Sequence, residues 1–227
     1  MSIRCVCFDL DDTLWDCSSV ITHAEQQLYQ WIATHQPAIG QRYTAETLLA
    51  SRVSYTQQHT ELHHDLGELR RHWLSALADE AALTTDWVDD AFQHFLKARN
   101  EVKFFPDVLT QLHLLKQDYR LGSITNGNAD IVSVGLDGLF DFSHNSAAAG
   151  VSKPEPAIFT QTLEMTGLEP HQMVYVGDDL EKDIIGANRV GLRTIWYNPS
   201  RRALSNGASP DAIMASFAEL THLVRSL

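Results

Sequence analysis

Four short apolar runs recur along the chain, and each ends abruptly in a polar cluster. Ile3–Phe8 runs into Asp9. Arg120-Leu121-Gly122-Ser123-Ile124 runs into Thr125-Asn126-Gly127-Asn128. Met173-Val174-Tyr175-Val176 runs into Gly177-Asp178-Asp179, and Arg193-Thr194-Ile195-Trp196-Tyr197 stops at Asn198-Pro199. Apolar runs of that length, bounded by turn residues, predict buried strands. Between them the apolar spacing becomes helical. Val108–Gln117 predicts a helix carrying Leu109, Leu112 and Leu115 inward. Pro156–Gly167 opens with proline and closes with glycine, the expected asymmetry of a helix, and Leu180–Val190 continues the pattern. Strands alternating with helices predict a parallel sheet, whose ligands bind beyond the carboxyl ends of the strands. The polar clusters all fall at those ends.

The stretch from Thr22 to about Asn100 follows a different pattern. It has no strand-like run, and Thr22–Thr34, Ala45–His64, Leu66–Glu80 and Asp86–Arg99 read as four amphipathic helices, the first pair interrupted at Pro37-Ala38-Ile39-Gly40. Trp31, Trp73, Trp87, Phe92 and Phe95 stand at helical spacings and predict the core of this block. A helical block set between the first and second strands reads as a separate domain. The predicted division is a sheet domain over residues 1–18 and 101–227 and a helical domain over 19–100. Residues 200–210 read as a loop and Phe217–Leu227 as a closing helix.

Charge narrows the function. The 227 residues carry a formal charge of −12, against binding to nucleic acid or an anionic membrane surface, both of which need a basic face. No apolar run is long enough to span a bilayer, and the N-terminal run ends in acids rather than a signal-peptide cleavage site, so the expected location is the cytoplasm. Cys5 and Cys7 alternate along the first strand and read as core residues; with Cys17 they make an odd count of three, which argues against a disulfide framework.

The chemistry concentrates in Phe8–Asp16, FDLDDTLWD, where four of nine residues are carboxylates. Like charges at the end of a buried strand repel each other and lose solvation, so such a cluster needs a reason. In an extended segment Asp9 and Asp11 point to one side. One can act as nucleophile while the other moves a proton, and paired carboxylates also suit Mg²⁺. A calcium loop is excluded: counted from Asp9, its sixth and twelfth positions are Leu14 and Val20 rather than Gly and Glu. His59 and His63 stand four apart, a metal spacing, but Thr60 follows His59 where a zinc-protease helix would place Glu, and a polar surface is the expectation. Trp15 either lines the site entrance or packs beneath the junction with the helical block.

FDLDDTL resembles the first motif of the haloacid dehalogenase-like phosphohydrolases, D-x-D-x-[TV]-[LV]. The family's other motifs follow in order: Ser123-Ile124-Thr125-Asn126-Gly127, then Ser152-Lys153-Pro154, then Gly177-Asp178-Asp179-Leu180-Glu181-Lys182-Asp183. The resemblance implies an α/β fold, a Rossmann-like doubly wound parallel sheet core with an inserted α-helical cap. It also implies a Mg²⁺-dependent phosphatase for a small phosphomonoester. Asp9 would form an aspartyl-phosphate, and Asp11 would act as acid and then base. Thr125 and the backbone of Asn126 would bind the phosphoryl oxygens, and Lys153 would neutralise charge on nucleophile and phosphate. Asp9, Asp178 and the Asp11 carbonyl would bind Mg²⁺, with Asp179 and Asp183 in the outer shell. The cap would close over a small metabolite. The motifs look most like the branch of flavin mononucleotide and nucleotide phosphatases. Asp12 reads as a turn residue, and Asp16 has no role in the implied chemistry.

Alternatives on this scaffold are a β-phosphoglucomutase-like phosphoryl transferase and a phospho-aspartate switch or binding protein that does not turn over. Dehalogenases resemble the chain but lack the second aspartate. A phosphonatase would need a cap lysine, and from Thr22 to Asn100 only Lys97 is present.

Overall fold

The computed structural model describes residues 2–204 and 207–227 and divides the chain into two compact units. One runs through Asp16, resumes over Lys103–Gly127 and continues from Gly135; the other comprises Cys17–Val102 and Asn128–Val134. The loop expected over residues 200–210 includes positions 205 and 206, which lie outside the described residues.

The second unit is helical: α1 (Cys17–His35), the one-turn α2 (Pro37–Gly40), α3 (Ala45–Gln58), α4 (Leu66–Glu80) and α5 (Val88–Arg99). Helix α1 buries Val20, Ala24, Leu28 and Ile32, a stripe at fourfold spacing, and Trp73, Leu77, Trp87, Phe92 and Phe95 complete the core. Trp31 is only partly buried at its margin. The helix predicted over Ala45–His64 ends at Gln58. There the His59 ring bonds the Tyr55 carbonyl at 2.9 Å, and the His63 ring bonds that of Thr56 at 2.9 Å. The His59 imidazole satisfies the Tyr55 carbonyl near the helix end, while the Thr56 carbonyl also accepts the His59 N–H at 3.3 Å.

The first unit holds six described strands: β1 (Cys5–Phe8), β2 (Arg120–Thr125), β3 (Phe142–Asn145), β4 (Met173–Gly177), β5 (Arg193–Tyr197) and β6 (Ala212–Met214). They form one parallel sheet in the order β3-β2-β1-β4-β5-β6. Its described helices are α6 (Val108–Lys116), α7 (Ser146–Ala149), α8 (Pro156–Thr166), α9 (Gly186–Asn188) and α10 (Leu220–Ser226). Every residue of β1 and β4 is buried, as expected for central strands covered on both faces. Cys5 and Cys7 are buried free thiols packed with Ile158, Phe159 and Met173. Chain order reverses between β1 and β4, and in open sheets of this kind that break is the ligand crevice.

The structure departs from the sequence pattern at three places in this unit. Strands β3 and β6 lie outside the four predicted runs: β3 has a single apolar residue, and β6, Ala212-Ile213-Met214, is an apolar run of only three residues. β3 reads FSHN and is held by pairing to β2 and by the Phe142 ring, which lies against Gly122. A Cβ on Gly122 would stand 2.3 Å from that ring, so only glycine fits. In α6, Val108, Leu112 and Leu115 are buried while Leu109 is exposed. The helix expected over Leu180–Val190 is present over Leu180–Asn188, but it opens as a wide π-type turn over Leu180–Ile185 before α9. Asp179 organises that turn: its carboxylate accepts from the N–H groups of Glu181 and Lys182 at 2.9 Å each, and its carbonyl accepts from Asp183 and Ile184.

Candidate active site

The end of β1 delivers the first carboxylate. The Asp9 N–H bonds the Val176 carbonyl at 2.9 Å, extending the β1–β4 ladder by one residue, so Asp9 emerges at the crevice. The chain then folds back. Leu14 N–H bonds the Leu10 carbonyl and Asp12 N–H bonds that of Trp15, both at 2.8 Å. Asp12 takes φ 60°, a left-handed conformation that aspartate tolerates better than most side chains. Its place in the turn agrees with the backbone role expected of it. Asp11 Oδ1 accepts a 2.9 Å bond from the indole N–H of Trp15. Trp15 is fully buried and meets Phe104 edge-to-face at 5.7 Å. Of the two expectations for this residue, packing holds and lining an entrance does not, because the fold-back places the ring in the core.

Lys153 is the positive centre of the site. Its Nζ lies 2.9 Å from Asp9 Oδ1 and 2.7 Å from Asp183 Oδ1, and it donates to the Tyr175 hydroxyl at 2.8 Å. An ammonium has three N–H donors, and these partners use all three. Burial opposes the charge on Lys153, but the Asp183 and Asp9 carboxylates more than reverse it and hold the amine protonated. Asn126 fixes where this lysine starts: its side chain donates to the Lys153 carbonyl at 3.0 Å and accepts from the Lys153 N–H at 2.8 Å. Thr125, buried at the end of β2, accepts the Gly127 N–H at 3.0 Å.

The β4 end carries the remaining acids. Asp178 Oδ1 accepts from the Thr13 hydroxyl at 3.3 Å, and its carbonyl accepts from the Trp196 indole at 2.9 Å and the Arg202 guanidinium at 2.6 Å. Asp183 is fully buried; besides Lys153 it accepts the Asp179 N–H through Oδ2 at 3.0 Å. It reaches there only because position 177 has no side chain: a Cβ on Gly177 would lie 2.4 Å from the Asp183 carboxyl carbon. The wide turn and the glycine together bring Asp183 to Lys153. Asp179 serves its own turn instead: burial, the largest single influence, raises its carboxyl, but the N–H bonds and the Lys182 charge together outweigh it and hold the group below its ordinary value.

The site has more negative charge than Lys153 can balance. Carboxylate oxygens of Asp9, Asp178 and Asp183 lie within 4.8 Å of one another. Burial raises Asp9 to about 8 despite Lys153, with the Asp183 and Asp11 charges adding to the rise. Burial also raises Asp178 to about 6, with Asp183 and Asp12 contributing. A cluster of hard oxygen donors with unbalanced charge fits a small dication such as Mg²⁺. Asp9 and Asp178 could hold it. Asp183 already accepts hydrogen bonds at both oxygens.

Three side chains in the site escaped the sequence reading: Tyr175, Thr13 and Trp196. Tyr175 is buried, accepts from Lys153 and donates to the Ile124 carbonyl at 2.7 Å. Burial and Asp183 hold its phenol protonated. In sequence it is one more apolar residue of a strand, and nothing local marks it. Thr13 was visible inside the first motif, where its spacing from the aspartates was the available signal.

A family model described as haloacid dehalogenase-like hydrolase matches residues 3–191. A 5-amino-6-(5-phospho-D-ribitylamino)uracil phosphatase of Escherichia coli is 27% identical, over 98% of this chain and 96% of its own. A glyceraldehyde 3-phosphate phosphatase of Methanopyrus kandleri is 29% identical over 85% of this chain and 83% of its own. Among solved structures, a 2-haloacid dehalogenase from Pseudomonas syringae pv. Tomato DC3000 superposes with a TM-score of 0.91 at 35% identity, covering 99% of both chains.

Proposed function

We propose, for a chain that belongs to the haloacid dehalogenase-like hydrolase family, a phosphomonoesterase that acts through an aspartyl-phosphate on Asp9 and takes a small phosphorylated metabolite. One observation carries this reading: the two carboxylates just beyond β1 have different partners. Asp9 is paired with a buried ammonium at 2.9 Å, while Asp11 accepts from an indole N–H at 2.9 Å. Carboxylates kept in different environments are suited to different jobs.

In this reaction an Asp9 oxygen attacks phosphorus. The bond from phosphorus to the ester oxygen breaks, and Asp11 passes its proton to that oxygen. A water then attacks the aspartyl-phosphate, gives a proton to Asp11, and phosphate leaves as Asp9 is regenerated. Lys153 lowers the charge on nucleophile and phosphoryl group, and Thr125 with the Asn126 N–H would hold phosphoryl oxygens. Asp183 acts by holding Lys153. When bound by Asp9, Asp178 and the Asp11 carbonyl, Mg²⁺ would supply the Lewis-acid charge that lets one anion approach another.

A dehalogenase reading is favoured by the Pseudomonas syringae structure. It leaves the acids unexplained, since a halide departs without a proton and a haloacid brings no phosphate for a cation to neutralise. The phosphatase relatives support phosphorylated metabolites as substrates. Flavin mononucleotide belongs in the set because it carries a ribityl phosphate, the group named for the Escherichia coli relative.

The test is a phosphate-release screen over sugar phosphates, nucleotides and flavin mononucleotide, with 2-chloropropionate assayed for chloride alongside. Many turnovers are expected with Mg²⁺ and none with EDTA, and Asp9→Asn should lose on the order of 10³-fold or more. Robust turnover by Asp9→Asn would remove the nucleophile assignment, one phosphate per chain would indicate a switch, and chloride release would favour the dehalogenase.

A further inference from the structure

Trp15 is tied to residues of its own sheet unit. The ring is fully buried and stands edge-to-face on Phe104 at 5.7 Å. Its backbone bridges to Asp11 on one side and Phe104 on the other, and its carbonyl accepts the Asp12 N–H at 2.8 Å. The neighbouring Leu14 carbonyl accepts the Phe105 N–H at 2.8 Å. Trp15 thus lies just before the chain leaves this unit after Asp16, and Phe104 just after it returns at Lys103. A ring so packed has one orientation, and its single polar atom points at Asp11 Oδ1 from 2.9 Å.

An indole nitrogen is a donor only. Oδ1 of Asp11 is therefore an acceptor throughout, and a proton carried by Asp11 sits on Oδ2. A carboxyl group can otherwise spin about χ2 and present either oxygen. We propose that Trp15 is the positioning residue for Asp11, fixing the carboxyl plane so that Oδ2 delivers the proton to the departing ester oxygen. The inference rests on the reading of Asp11 as general acid. The proton moves from Oδ2 to the ester oxygen while the phosphorus–ester bond breaks and the phosphorus–Asp9 bond forms, leaving Asp11 as the carboxylate. Trp15 touches no reacting atom; it acts only through Asp11.

Leaving groups separate this role from plain packing. A nitrophenolate departs without a proton, whereas an alkoxide needs one. In kcat/KM, which reports the steps through phosphoryl transfer to Asp9, Trp15→Phe should lose about 10- to 100-fold on an alkyl phosphate taken from the screen, within the range of general-acid effects. On p-nitrophenyl phosphate it should lose no more than about threefold. Asp11→Asn is the reference and should show the same selectivity, more strongly. If Trp15→Phe fails to fold, 3-benzothienylalanine at position 15 keeps the ring shape and removes only the N–H. Equal losses on both substrates, or none on either, overturn the proposal. No selectivity in Asp11→Asn removes the general-acid reading of Asp11 beneath it, and no ester turnover by the wild-type protein with Mg²⁺ removes the phosphatase reading.

Discussion

Replacing Gly177 by alanine should detach Asp183 from Lys153. The backbone at Gly177 is outside the left-handed region, so alanine meets no strain there. The obstacle is contact: the new Cβ would lie 2.4 Å from Asp183 Cγ and Oδ2 and 2.5 Å from its Cβ. Ordinary contact begins about 1 Å farther out, so the carboxylate must retreat by roughly that distance. Its bonds to Lys153 Nζ at 2.7 Å and to the Asp179 N–H at 3.0 Å then stretch beyond hydrogen-bonding range. Hydrogen bonds to charged groups contribute about 1.5–3 kcal/mol each, so the pair predicts a loss of about 3–5 kcal/mol after some relaxation. That is a large part of the roughly 5–15 kcal/mol that stabilises a typical domain. Urea unfolding followed by circular dichroism measures it, with an unchanged m value showing that the transition is comparable. Gly122→Ala is the companion. Its Cβ would meet the Phe142 ring at 2.3 Å, far from the acids along β2, and should destabilise by about 1–3 kcal/mol with kcat/KM within about twofold of wild type. A Gly177→Ala protein within about 1 kcal/mol of wild type and fully active would refute the reasoning, because Asp183 would then not be fixed where its bonds require.

Two further outcomes follow from the same network. Tyr175→Phe removes the hydroxyl that accepts from Lys153 and leaves the ring in place; kcat should fall about 10-fold or more with KM changed less, and equal changes in both would mean the hydroxyl does not orient the lysine. The acids also predict how metal and pH interact. Asp178 at about 6 and Asp9 at about 8 both lie above the ordinary 3.8, so the metal-free folded protein binds these protons more tightly than the unfolded chain. Their stabilising contribution is complete below that ordinary value and is lost as pH rises through 6 and then 8. A dication competes for the same oxygens, so the rise in Tm from Mg²⁺ over EDTA should grow between pH 5 and pH 8; a rise that is flat or shrinking would count against Asp9 and Asp178 as ligands.

The positions of Asp9, Thr125 and Asp178 were legible because each follows an apolar run at a strand end, and a parallel sheet aligns such ends. Lys153 has no such mark. Read by itself it is a surface residue, and only the order of the motifs recruited it. Strands β3 and β6 were missed because edge strands are short and their pairing is set by a neighbour far away in sequence. The helix expected over Leu180–Val190 formed with a widened first turn, because the apolar spacing there does not register that the Asp179 carbonyl accepts from Ile184, five residues on, as well as from Asp183.

What the sequence determined alone was therefore the inventory: an acidic α/β chain, the order of its strands and polar ends, and the carboxylates able to do phosphoryl chemistry. The tertiary structure decided how those groups are shared. It made Tyr175 the third partner of Lys153, sent Asp183 to the lysine and Asp179 to a turn, and turned Trp15 from a guess about substrate into a donor to Asp11. For Lys153 and its partners the reason is one of range; for Trp15 and Asp179 it is the particular fold of the local turn. Apolar periodicity is written within a few residues, whereas a hydrogen bond in the core joins atoms that only the completed sheet brings within 3 Å.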